Sequence, residues 1–288
     1  MANTVIWNKH DYVTALRKRL DRPVNWGAVC KVVYSDIRTI VNAVVSTEPS
    51  VVTGTRGTAY NYEDFALTAD TLTIDTTKIT PIFIDEADRS QQSYFGSPQI
   101  ADFQGKKVNE KIESALLANH TNWTNFGVGD LAGTSAGDTA QITVSSTNID
   151  DLVRAIKRTV YVANGVELAI ENGFFSIWRP ADFELLEGFV QSSGFTEADV
   201  ALKNGVPPGL GFKYLGMEHY LSNDHAANHL FAGVKKMQDL GILRSTYGRA
   251  KFIEDPAKLS GLGVVSRVDY GFQTSVPNKT LIFDVNVV

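Results

Sequence analysis

Between Ser50 and Thr77 the chain reads SVVTGTRGTAYNYEDFALTADTLTIDTT, an extended segment with few large aliphatic side chains of its own. Tyr60 alternates with Tyr62, Phe65 with Leu67, and Leu72 with Ile74. This period of two predicts the two strands of a hairpin. An isolated two-stranded hairpin is marginally stable in water and must pack on something. The segment therefore lies on its own domain or is completed by another chain, and this choice constrains every reading of the rest.

The same run continues through Ile79, Ile82, Phe83 and Ile84 around Pro81, which fits an edge strand or a bend. Asp85, Glu86 and Asp88 follow. Three carboxylates there suggest a cation site, but acids are also favoured at a helix N-terminus, and they are expected to open a long helix. That helix is predicted over about 90–123. Ala101, Gly105, Val108, Ile112, Ala115 and Asn119 recur at steps of three and four and form a narrow seam. Lys106, Lys107, Glu110, Lys111 and Glu113 crowd the other faces. Twenty helical residues span about 30 Å, so the element reads as a spine lying across a sheet.

Upstream, apolar residues from Val29 to Val45 follow helical spacing, and a helix is predicted there despite the Val and Ile content. Residues 9–22 carry Lys9, Arg17, Lys18, Arg19 and Arg22 against two Asp, which is a solvated helical face or a basic arm touching a polyanion. Downstream, NFGVGDLAGTSAGDTA reads as a mobile loop. Ile149, Leu152, Val153, Ile156 and Val160 make the buried stripe of a helix that Gly165 terminates. FFSIW reads as a strand, Pro180 as the first-turn proline of a helix whose inner face is Phe183, Leu185 and Leu186, HLFAGVKKMQDLGIL as a strand then a short helix, and the rest of the C-terminal hundred residues as mostly strands. Helices and strands mix irregularly, so the class is α+β.

Net charge is −5, with no basic stripe of the kind a dedicated nucleic-acid binder carries. Cys30 is the only cysteine, which excludes an intrachain disulfide; it is expected as a buried small hydrophobe. No apolar run approaches the roughly 20 residues of a membrane span. His219, His225 and His229 are the best enzyme-like group, suggesting a metal-dependent enzyme. They lack a neighbouring H-E-x-x-H pattern and read as solvated loop residues. No phosphate loop, dinucleotide fingerprint or serine elbow occurs. The expectation is no catalytic residue, no cofactor and no metal.

The order of elements closely resembles the major capsid proteins of tailed bacteriophages, the family with the Hong Kong 97 phage fold. The resemblance runs from about Val29 to Val288. Leu72 to Gln92 carries it most specifically, as a strand, an acidic junction and a helix start. Trp178, Pro180, Phe183 and Leu186, then Gly211 and Phe212 through Ser222 and Asn223, carry it further. It implies an N-terminal arm over 1–28 and an extended E-loop over 51–77. It also implies a peripheral domain over 29–50, 78–148 and 265–288, and an axial domain over 149–264. Thr55, Arg56, Tyr60, Tyr62 and Phe65 would then reach a neighbouring subunit, and Arg17, Lys18, Arg19 and Arg22 would face packaged DNA.

The implied role is a non-enzymatic virion subunit, assembled in the host cytoplasm through hexamers and pentamers into an icosahedral head. Its partners would be copies of itself, a separate scaffolding protein, a portal and non-specifically held DNA, with no membrane. An encapsulin-like compartment shell shares the fold and stands as the alternative. Members that cross-link covalently use an E-loop lysine; residues 51–77 hold Arg56 and no lysine, so no cross-link is expected.

Overall fold

The computed structural model describes residues 9–20, 25–45, 53–54, 56, 67–85, 97–192, 212–254 and 261–288. The helices are α1 (Lys9–Leu20), α2 (Trp26–Val29), α3 (Ser97–Ala118), α4 (Val128–Ala132), α5 (Ile149–Val162), α6 (Val166–Asn172) and α7 (Pro180–Ser192). The strands before α3 are β1 (Lys31–Ser35), β2 (Thr39–Val45), β3 (Leu67–Thr73) and β4 (Thr76–Asp85). Those after it are β5 (Thr124–Phe126), β6 (Phe174–Trp178), β7 (Phe212–Tyr214), β8 (Met217–Leu221), β9 (His229–Val234) and β10 (Gln238–Leu243). The last are β11 (Ala250–Glu254), β12 (Gly261–Thr274) and β13 (Ile282–Asn286). The class is α+β, and among the described residues no helix is long and apolar enough to cross a membrane.

Two sheets organise the molecule. One runs β1-β10-β12-β11, with β4 along the other edge of β12. The second runs β5-β13-β9-β6-β8-β7. Sheet membership cuts across the expected spans. β10 and β11, from 149–264, pair with β12, whereas β13, at the C-terminus, pairs with β9 and β5.

The helix predicted over 29–45 is instead β1 and β2. β-branched Val and Ile fit a pleated surface better than a helical one. Lys31–Ser35 finds a parallel partner in β10, and Thr39–Val45 an antiparallel one in β3. Periodicity over so short a run does not separate the two structures; the distant partner does.

The long helix forms, but from Ser97 to Ala118, followed by a 3-10 turn over Asn119–Asn122. Residues 86–96, with Glu86 and Asp88, lie outside the described residues. Asp85 ends β4 opposite Gly261, so it closes a strand and does not open the helix. Pro81 sits on β4 opposite Val265; β12 is the sheet partner of β4, so the edge position expected for the proline holds.

The seam residues Ala101, Val108 and Ile112 are buried as predicted, joined by Leu116 and Leu117. The buried face is wider than the apolar pattern indicated, because Gln104, Asn109 and Glu113 are also inside. Each has a partner. Gln104 accepts from the Tyr12 hydroxyl and donates to the Thr80 carbonyl at 2.8 Å. Asn109 donates to the Arg19 carbonyl at 3.1 Å, and Asn25 donates to Glu113 at 2.8 Å. Burial holds the Glu113 carboxyl above the ordinary range, an effect partly offset by hydrogen bonds from Ser222 and Asn25.

The glycine-rich stretch expected to be mobile is built around two carboxylates. Asp130 accepts from the amides of Gly127, Gly137 and Asp138, at 3.1, 3.0 and 2.8 Å. Asp138 accepts from Gly129 at 2.6 Å and Ala140 at 3.1 Å. These bonds hold the Asp138 carboxyl below its usual range. The predicted stripe of α5 is fully buried, but the left-handed residue after it is Asn164 (φ 58°). Gly165 caps the next helix instead.

Candidate inter-subunit surfaces and the histidine positions

Strands β2 and β3 form a separate two-stranded ribbon, in register from Thr39↔Thr73 to Val45↔Leu67. The hairpin expected within 50–77 therefore begins earlier, because its first strand is β2. Most of the ribbon is exposed on both faces, including Val41 at 63% and Leu67 at 58%. Among its described side chains only those at the base are buried: Leu72 and Ile74 are 1% exposed, and Gln273 donates to Asp70 at 2.6 Å. Next to the base, Gly271 lies so close to β3 that a Cβ there would come within 1.9 Å of the Thr73 carbonyl oxygen. Arg38, just before β2, pairs at 3.2 Å with Asp269 of β12.

Asp269 is buried and also takes two bonds from Arg267 and one from Thr77. Burial alone would raise its carboxyl; these partners outweigh that and hold it below the usual range. Of the residues expected to reach a neighbour, Arg56 is exposed, whereas Thr55, Tyr60, Tyr62 and Phe65 lie outside the described residues.

Within the N-terminal segment, residues 9–20 are docked on the body. α1 packs along α3, with Tyr12, Leu16 and Leu20 completely buried. Arg17 is exposed while its Nε donates to the Gly248 carbonyl at 3.2 Å. Lys18 is exposed, and Arg19 is half-buried with Nε 3.8 Å from Asp102. Arg22 lies outside the described residues.

His219, His225 and His229 do not converge as a solvated set. His219 is wholly buried on β8. Its Nδ1 faces the Ser176 hydroxyl at 2.7 Å and accepts from Trp178 Nε1 at 3.0 Å, while Nε2 sits 3.3 Å from the Tyr214 carbonyl. That is the partner set of a neutral structural imidazole. Burial pushes it down to about 4, against a smaller opposing pull from the Tyr214 carbonyl. His225 is also held at about 4, by burial and then by Arg179 and His229. His229 instead meets His120 and Asp284: Nδ1 of each imidazole lies 2.8 Å and 3.0 Å respectively from an Asp284 oxygen. His120 had carried no signal in the sequence, because its partners are over a hundred residues away. Cys30 is buried, and desolvation, with the nearby Asp239 charge, raises its thiol far above the ordinary range, consistent with an unreactive side chain.

The histidine shifts fix a sign. An unfolded histidine titrates near 6.5, so between about 6.5 and 4 the unfolded chain binds protons that the folded chain does not. Their contribution is complete above 6.5 and lost as pH falls towards 4. Glu113 and Asp239, both raised by burial, oppose it in part of this window. The difference between two chains isolates the histidine term. His225→Gln is expected to lower the pH slope of urea stability in that window by about one proton and leave stability at pH 7.5 little changed. Identical slopes would remove the assignment.

Solved structures share this arrangement over most of the chain. The mature capsid of bacteriophage PhiM1 matches at TM-score 0.59 with 14% identity, covering 90% of this chain and 85% of that one. The capsid of a native GTA particle matches at 0.61 with 12% identity, over 91% and 89%. A virus-like particle from Pyrococcus furiosus matches at 0.60 with 10% identity, over 96% and 98%. No protein-family model and no curated protein matches the sequence. At these identities the likeness is one of fold. The chain has the capsid fold of tailed bacteriophages, the Hong Kong 97 type, as its order of elements indicated.

Proposed function

We propose that the chain is a major capsid protein, a non-enzymatic subunit that self-assembles through hexamers and pentamers into an icosahedral head around double-stranded DNA. The observation that carries this reading is the β2–β3 ribbon. Among the described side chains it carries exposed apolar groups and is buried only at its base, which suits a segment completed by a neighbour. Specific interfaces bury on the order of 1,600 Å², and a closed shell requires unlike patches to meet.

On this reading the E-loop is the ribbon with the residues between its strands, and α3 is the spine of the peripheral domain. The six-stranded sheet with α5 to α7 forms most of the axial domain. Arg17 and Lys18 contribute a non-specific, salt-sensitive contact with DNA. A separate scaffolding protein and a portal are the further partners, assembly takes place in the host cytoplasm, and the virion is the final location. A shell of the encapsulin type is the second reading, favoured by the near-complete mutual coverage with the Pyrococcus furiosus particle.

Negative-stain microscopy of the expressed protein, with and without a candidate scaffold, tests the proposal. Closed shells or capsomer rings are expected. Persistent monomers with a defined catalytic activity would falsify it. Shells that require an enzyme cargo, with no portal or packaged DNA, would move the assignment to the second reading.

A further inference from the structure

Three distant parts of the chain bring nitrogen and oxygen donors to one point. His120 lies in the 3-10 turn that ends α3, His229 opens β9, and Asp284 lies on β13. The pairing of β9 with β13 sets His229 opposite Asn286 and Phe231 opposite Asp284, so His229 and Asp284 are diagonal neighbours on one face. The two imidazoles pack against each other, with ring centres 4.1 Å apart and planes inclined by 30°. Trp123 stacks on Phe231 at 3.7 Å and holds the end of the helix against this face.

We propose that His120, His229 and Asp284 bind a divalent transition ion of the zinc type, fastening the end of the spine helix to the six-stranded sheet. One donor atom from each of the three residues lies within 4.8 Å of the other two. Zinc bonds to imidazole nitrogen and carboxylate oxygen measure about 2.0–2.2 Å, which places tetrahedral donors about 3.3 Å apart. The observed Nδ1 to oxygen separations of 3.0 and 2.8 Å need only a small expansion to reach that spacing. Asp284 is nearly inaccessible, with its side chain 3% exposed, and each of its oxygens faces an imidazole. A buried carboxylate between two histidines is a mixed nitrogen and oxygen set, which suits zinc and its neighbours better than magnesium or calcium.

The His120 and His229 side chains remain 19% and 28% exposed, which leaves a route for the ion and room for water in an open position. In the neutral imidazoles the Nδ1 proton donates to Asp284. Binding moves that proton through solvent to Nε2 and gives the Nδ1 lone pair to the ion, so no net proton leaves two neutral rings. The expectation of no metal rested on His219, His225 and His229 and on Asp85, Glu86 and Asp88; the site proposed shares only His229 with those residues.

The test uses the whole chain, stripped with a chelator and titrated with zinc alone. One ion per chain is expected by elemental analysis, with a thermal midpoint raised by roughly 5 °C when zinc is in about hundred-fold excess over Kd. Asp284→Asn should abolish both effects. Because that substitution touches a buried group, His120→Gln and His229→Gln serve as partly exposed alternatives, and each should weaken binding at least tenfold with the fold intact by circular dichroism. Cobalt in place of zinc should give visible absorption bands of a four-coordinate site, lost in the same variants. His225→Gln should change none of this. Zinc uptake that survives both His120→Gln and His229→Gln, or that disappears in His225→Gln, overturns the proposal, as does a wild-type chain with no zinc-dependent midpoint.

Discussion

Replacing residues 46–66 by a two-residue Asn-Gly turn is expected to leave a folded subunit that makes no shells. Val45 and Leu67 are the outermost pair among the described residues of the ribbon, so a tight turn can join them without disturbing the register. The buried base, Leu72 and Ile74, is untouched, and so is the Asp269 network. Thermal midpoint and far-ultraviolet circular dichroism should match the parent within about 2 °C, while particles vanish from the microscope grid. A variant that unfolds would show that the removed residues pack on their own body. A variant that still forms shells of normal size would show that the ribbon does not reach a neighbour, and the proposed function would lose its main support.

The second large effect is expected at Gly271. The Thr73 carbonyl occupies the space a side chain would need, and both contacting groups are backbone, so neither can swing away. Gly271→Ala should cost about 2–4 kcal/mol in urea unfolding, in the range of a substitution that forces backbone apart. Gly263, on the same strand, provides the control. A Cβ there would lie 3.2 Å from the Ile253 carbonyl, a contact relieved by a few tenths of an ångström. Gly263→Ala should cost about 1 kcal/mol or less. Equal losses at the two positions would mean that the ribbon base yields easily, and that the close approach is not what anchors it.

Much of this architecture was legible in the residues. The spine helix, the stripe of α5, strand β6 and the Pro180 helix all carry local periodicity or a local start signal, and local signals suffice for local elements. Val29–Val45 was misread because its Val and Ile side chains satisfy either period over a few residues. What decides the structure is pairing with β10 and β3, which no pattern within 29–45 announces. Buried polar side chains were invisible for a related reason. Glu113 reads as a surface residue, and Gln104 and Asn109 carry no apolar signal, until Tyr12, Arg19, Asn25 and Thr80 are seen beside them. The histidines divide in the same way. His219 owes its place to Ser176 and Trp178, and His229 to His120 and Asp284, so their sequence spacing carried no information about either.

The pairing of the sheets also sets when the subunit can exist at all. Lys31 meets Asp239, Ile79 meets Arg267, and Thr124 meets Phe283, so early strands wait for partners made last. Contacts this distant along the chain fold slowly, because loop closure precedes any reward. A chain still attached to the ribosome has β1, β4 and β5 without β12 or β13. Neither sheet closes until β12 and β13 have emerged. On the proposed function, this topology keeps nascent chains out of shells until β12 and β13 have been made.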